Sequence, residues 1–186
     1  MKVKIRDIIP YVRNSKKHPD AQISRLMGMI DEYGFTSPLV VVGKELKAGH
    51  GRVEAARRIL DSGGHIYPAP GRKNGAEPFE DGMLPAIDAT GWSEAQARAY
   101  VIAENRIAEL AEWDSEMLAL EIEDLRLGGF DIDLTGFDSA QLETILNAGA
   151  GVGEQFTGDI NSFFNDSGGE IKQEKVKLCP HCKGVL

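Results

Sequence analysis

Cysteine is almost missing from this chain: Cys179 and Cys182 are the only two in 186 residues, and the first 178 contain none. A disulfide framework for any core upstream is therefore excluded. Long apolar runs are missing too. No stretch of about 18 apolar residues exists, which excludes a membrane-spanning helix, and Met1-Lys2-Val3-Lys4 lacks the apolar segment of a secretory signal, so a soluble, cytoplasmic protein is expected. Basic residues are scarce in the second part of the chain. Residues 76–186 hold 7 Lys and Arg against 22 Asp and Glu, whereas residues 1–75 hold 14 against 7. The net charge of −8 hides this division. A positive lobe beside an acidic one attracts phosphorylated ligands, but the acidic total opposes approach to DNA, so DNA contact should be weak, local and salt-sensitive.

With 42% hydrophobic and 27% charged residues, the chain has the composition of one well-packed domain with appendages. The most informative stretch is Gly49-His50-Gly51-Arg52 followed by Val53-Glu54-Ala55-Ala56-Arg57-Arg58, an apolar run feeding two glycines and then a helix that opens on arginine. Glycine lets a backbone approach an anion, and the first N–H groups of a helix have no internal partners and carry partial positive charge. Arg52 adds a charged fork able to hold two phosphate oxygens. A strand-to-helix turn also needs glycine for geometry alone, so the motif requires its context.

That context is an alternation of short strands and helices. The pattern predicts a strand at 3–5, a helix over 21–33 capped by Asp20 and closed by a left-handed Gly34, and a buried strand Leu39–Val42. Further on it predicts a helix over 52–61, an irregular surface loop at 65–82 with a basic tip at Arg72-Lys73, and a strand at 84–88. Ser93-Glu94-Ala95-Gln96 reads as a capping box for a helix running to about Glu109. A helix opening at Trp113-Asp114-Ser115 should turn Met117, Leu118, Leu120, Ile122 and Leu125 inward, and a short one should cover 139–146. No helix-turn-helix pair stands out downstream. Residues 147–170 are glycine-rich and acidic without Lys or Arg, the composition of a flexible linker, in which Ile160-Asn161-Ser162-Phe163-Phe164 is a candidate docking motif.

Taken in order, Ile8-Ile9-Pro10-Tyr11-Val12-Arg13-Asn14-Ser15-Lys16-Lys17-His18, Tyr33-Gly34-Phe35-Thr36-Ser37-Pro38, the glycine turn, Leu84-Pro85-Ala86-Ile87 and Ile102-Ala103-Glu104-Asn105-Arg106 resemble the N-terminal domain of the ParB family, of the ParB/sulfiredoxin fold. The similarity is to the compact forms found beside DNA methyltransferases and in phage genes. It implies an α/β (α+β) fold with a small mixed sheet, followed by C-terminal helices and a flexible tail. The implied divisions are a nucleotide-binding domain over 1–110, with its insertion at 65–82, a helical extension over 111–146, and an acidic linker with a CxxC tail over 147–186.

The resemblance also implies roles position by position. Gly49, Gly51 and Arg52 match the family's Gly-x-x-Arg motif and would contact the phosphates of a nucleoside triphosphate, CTP or ATP. His50 stands where partition proteins carry glutamate and sulfiredoxins their cysteine; without that cysteine a sulfiredoxin reaction is excluded. Glu104 and Asn105 match the start of a Glu-Asn-x-x-Arg motif that helps hold Mg²⁺ and phosphate. Ala108 occupies the expected arginine position, and Arg106 lies two residues away from it, about 200° around a helix. Arg13, Asn14, Lys16 and His18 fall in the segment that closes over the ligand, and Gln22 opens the helix behind it. His50 and Glu104 are the candidate acid–base residues.

Cys179 and Cys182 have the spacing of half a zinc site, with no second pair following. A zinc centre there needs ligands from another chain, and the competing account is a reduced tail. Three functions stay open: a nucleotide-dependent switch in phage or bacterial DNA metabolism, a ParB-fold enzyme acting as metal-dependent nuclease or small-molecule kinase, and a non-catalytic adaptor. The implied partners are DNA, a DNA methyltransferase or another phage DNA-metabolism protein, and a second copy of the chain; no membrane is expected among them.

Overall fold

Leu39–Val42 (β3) is the middle strand of a five-stranded mixed sheet in the computed structural model, which describes residues 1–149. The other strands are β1 (Lys2–Lys4), β2 (Ile9–Pro10), β4 (Glu45–Ala48) and β5 (Met83–Asp88), in the spatial order β1-β5-β3-β4-β2. β3 pairs parallel with β5 and antiparallel with β4, while β1 lies antiparallel to β5 and β2 parallel to β4. The run of four apolar residues in β3 follows from burial on both faces. Leu39 and Val41 enter a core with Ile23, Ile30, Val53 and Leu84, whereas Val40 meets Ala48, Ala89, Trp92 and Tyr100 on the opposite side. Successive side chains of a strand alternate between faces, so a strand covered on both must be apolar throughout.

Helices α1 (Asp20–Tyr33) and α2 (His50–Asp61) pack together over the larger core, and α3 (Glu94–Ala108) covers the other face through Tyr100. The Ser93–Gln96 capping box that starts α3 is present in both directions. Helix α1 begins one residue before expectation, with Pro19 at the N-cap, and the Asp20 carboxylate, instead of capping the helix, accepts from Arg58 Nη2 at 2.9 Å. Gly34 has a positive φ of 79°, but its ψ of −178° is extended rather than left-handed. Glycine is required there on two counts: L side chains rarely adopt that backbone conformation, and a Cβ would lie 2.3 Å from the Pro68 carbonyl oxygen.

That contact revises the reading of residues 65–82 as a surface loop. The segment is irregular, yet Ile66 is fully buried, Phe35 N–H donates to Tyr67 O at 2.7 Å, and Phe79 N–H donates to Ile66 O at 2.7 Å. Its basic tip is neutralised as well. Arg72 pairs with Asp31 at 3.2 Å and Lys73 pairs with Glu32, so α1 supplies the counter-charges.

Helix α4 (Ser115–Leu127) starts at Asp114, whose carboxylate accepts from the N–H groups of Glu116 and Met117. Helix α5 (Ser139–Gly149) follows a reciprocal pair of bonds between Asp138 and Gln141. On α4 only Ala119 and Ile122 are fully buried, and Met117, expected inward, is 52% exposed. The helix packs chiefly against α5, so a narrow apolar stripe suffices. Among the described residues no helix is long and apolar enough to cross a membrane.

Candidate phosphate-binding cleft

The β4–α2 turn is built on one conformation. Gly49 sits at φ 98°, ψ 24°, in the left-handed region, where it serves as N-cap without contributing a side chain to the helix N–H groups. A Cβ at Gly49 would lie 2.6 Å from Leu39 Cδ2 and 3.1 Å from Arg52 Nη2, so glycine here gives room to the arginine folded beneath it. Gly51 plays a second part: a Cβ there would come within 3.1 Å of His18 Nδ1, so its absence lets the His18 ring lie across the first turn of α2.

These elements enclose an open cleft of about 140 Å³ lined by Asn14, Lys16, His18, Leu26, Gly49, His50, Gly51, Arg52, Glu104 and Asn105. Nearly every residue singled out from the sequence is thereby brought to one place from three separate parts of the chain. Arg13, Gln22 and Arg106 are not in the lining. Arg13 is exposed; Gln22 Oε1 instead bonds His18 Nδ1 at 3.0 Å and orients that ring; Arg106 turns to Glu109 at 3.4 Å, as its displaced position on the helix suggests.

Arg52 is the most unusual group in the cleft. Its Nε is shielded from solvent and has no hydrogen-bond partner, and its Nη2 reaches only the Pro38 carbonyl oxygen at 3.5 Å. Burial pushes the guanidinium below its ordinary pKa, while the neighbouring Glu104 and Tyr100 pull the other way. A buried donor without an acceptor is costly, and charge raises the cost.

Asn105 Nδ2 donates to the Val101 carbonyl oxygen at 2.8 Å, leaving its Oδ1 available as an oxygen ligand. Glu104 makes no hydrogen bond or ion pair among the described residues. Tyr100, one helical turn before Glu104 and with its ring centroid 4.7 Å from that of Trp92 at a tilt of 54°, belongs to the same electrostatic group. Burial, then Glu104, raises its phenol pKa, and Arg52 opposes them. Sequence reading passed over Tyr100; its four-residue offset from Glu104 was the available signal.

His50 Nε2 accepts a hydrogen bond from the Tyr11 backbone N–H at 3.3 Å. Burial lowers the ring's pKa first, followed by the charges of His18 and Lys47, whose ammonium is itself buried and sits 4.0 Å over the Tyr11 ring. His50 is thus a neutral ring at pH 7. A histidine whose folded pKa is lowered contributes stability that is complete above its unfolded pKa, about 6.5, and fades as pH falls below that value. The melting temperature should decline between about pH 7 and pH 5. His50→Gln should flatten that part of a thermal-denaturation series, and an unchanged slope would show that another group is responsible.

Residues 116–173 match a family model described as the ParB-methyltransferase HTH domain. Over 60 residues the chain is 37% identical to the ParB-like nuclease domain-containing protein YnaK of Escherichia coli (strain K12), a match covering 31% of this chain and 69% of that protein. The chain belongs to the ParB-like family. In structure it is similar to the C-terminally truncated chromosome-partitioning protein ParB of Caulobacter crescentus, solved in complex with CTP-gamma-S. The TM-score is 0.48 at 16% identity, and the match covers 67% of this chain and 61% of that one, so this ParB-like chain spans less than two thirds of the partition protein.

The family model matches a helix-turn-helix domain to a region where no helix-turn-helix pair stands out in the sequence. The match opens in α4, takes in α5 and crosses position 147. A tight connecting turn, the usual cue, is missing between α4 and α5, where residues 128–138 form two glycine positions and a 3-10 turn at Ile132–Thr135. Cys179, Cys182 and the apolar cluster at 160–164 lie outside the described residues.

Proposed function

We propose that this ParB-like chain binds a nucleoside triphosphate, CTP or ATP, with Mg²⁺ in the cleft at the head of α2. The bound nucleotide then acts as a switch in phage or bacterial DNA metabolism. The observation that carries this reading is the shielded, unpartnered Nε of Arg52 beside a helix N-terminus that no side chain caps. A phosphate there would accept from Arg52 and from the first N–H groups of α2 together.

The residues present also suit Mg²⁺. That ion takes one or two protein oxygen ligands and completes its shell with phosphate oxygens and water, and Glu104 with the Asn105 amide oxygen offers that set. When bound, the metal would neutralise charge between adjacent phosphates. His50, neutral and held through Nε2, is better suited to donating a hydrogen bond to phosphate than to abstracting a proton. Residues 1–110 would form the nucleotide-binding unit and 111–146 the helical extension. The helix-turn-helix match beginning in α4 favours DNA as a partner and a DNA methyltransferase as the functional neighbour.

A metal-dependent nuclease is the second reading, favoured by the description of the relative YnaK and by a Glu104 carboxylate that makes no hydrogen bond or ion pair among the described residues. A thermal-shift panel of CTP, ATP, GTP and UTP, with and without Mg²⁺, tests the proposal. One nucleotide should protect the protein in a Mg²⁺-dependent way, with release of phosphate slow and no strand cleavage when DNA is added. Cleavage of DNA would favour the nuclease, and absence of protection by every nucleotide would leave a non-catalytic adaptor.

A further inference from the structure

Lys16 lines the cleft, yet its ammonium is already engaged. It pairs with the carboxylate of Glu109, the C-cap residue of α3, and the two side chains are 39% and 48% exposed. The backbone beneath Lys16 is fixed by Asn14, whose side chain accepts from Lys16 N–H and donates to Lys16 O, each at 3.2 Å. The segment is therefore held and only the end of the lysine side chain needs to move. Glu109 lies four residues beyond Asn105, on the same helical face as a residue that lines the cleft. The pairing with Lys16, reinforced by Arg106, keeps the Glu109 carboxyl below its usual pKa range, so it is ionised at neutral pH.

We infer that Glu109 is an internal competitor for Lys16: its carboxylate stands in for a ligand phosphate, and triphosphate binding requires this pair to exchange for a Lys16–phosphate pair. The inference rests on the proposed nucleotide reading of the cleft and adds a built-in restraint on its affinity. The exchange is thermodynamically feasible because an exposed ion pair between single charges is weak, while a polyphosphate presents several negative charges already gathered by Arg52 and the α2 N-terminus. Glu109 thus sets a threshold, favouring ligands with enough charge to draw Lys16 away.

The test is a titration of inorganic triphosphate, which removes any contribution of the base, into the full chain and its Glu109→Gln, Lys16→Gln and doubly substituted forms. Glu109→Gln should bind about two- to fivefold more tightly, the range expected from removing one exposed ion pair. Lys16→Gln should bind more weakly, and adding Glu109→Gln to it should give no gain. Glu112→Gln, which removes the same charge three residues away, should change affinity less than Glu109→Gln. A gain that persists without Lys16, or an equal gain from Glu112→Gln, would reveal a general field effect and overturn the competitor role. Unchanged affinity of Glu109→Gln, in a parent that binds triphosphate, overturns the competitor alone. A parent that binds neither inorganic triphosphate nor any nucleotide overturns the nucleotide reading and this inference with it.

Discussion

Arg52→Ala should abolish nucleotide protection while leaving the melting temperature of the protein nearly unchanged. The substitution removes a charged fork from the cleft but no member of either core cluster. Losing a charge-assisted pair costs about 1.5–3 kcal/mol, or roughly tenfold to a hundredfold in affinity. It also removes a shielded donor that has no partner in the ligand-free protein, so the fold has little to lose. Arg52→Lys should rescue only in part, since an ammonium cannot reproduce the planar fork. Binding measured by titration calorimetry, with melting curves as the control for folding, decides the matter. A variant that binds as tightly as the parent would place the phosphate site elsewhere.

The glycine turn could be read in the sequence because its chemistry is local: backbone freedom, helix N–H groups and arginine occupy four consecutive positions. The strand Leu39–Val42 was equally clear, since an uninterrupted apolar run of that length has few other uses. Convergence of Asn14, Lys16, His18, Glu104 and Asn105 on that turn depends on tertiary folding, and only the family resemblance brought them together beforehand. Side-chain partnerships were not legible. Asp20 has the right residue type for an N-cap but bonds Arg58, on a helix 38 residues away, and Lys16 finds Glu109 at a separation of 93. Periodicity also overstated the buried face of α4, because it cannot tell how many neighbours a helix will have.

The irregular loop gives the second large effect. Gly71→Ala should destabilise the protein by about 3 kcal/mol or more, which for a chain of this size lowers the melting temperature by roughly 6–12 °C. Gly71 has a φ of 91°, and a Cβ there would lie 2.2 Å from the Glu32 carbonyl oxygen and 3.0 Å from the Gly34 nitrogen. Both obstacles are backbone at the end of α1, so neither can swing aside. Gly75→Ala provides the control for a positive φ without crowding: at φ 82°, ψ 17° it is left-handed, a milder strain than the φ 91°, ψ 167° of Gly71, and nothing lies within 4 Å of the new Cβ. Calorimetric melting of both variants should show a much larger loss for Gly71. Equal, small losses would mean that residues 65–82 are a neutral insertion rather than a strap packed on α1.

The claim that an anion docks at the head of α2 is tested most directly by following backbone amide resonances, together with the Arg52 Nε–H, during titration with a magnesium nucleoside triphosphate. The account predicts that the amides of His50, Gly51 and Arg52 and the Arg52 Nε–H show the largest saturable shifts, with Glu104 and Asn105 next. Saturable shifts centred on other residues, with these groups unmoved, would contradict it.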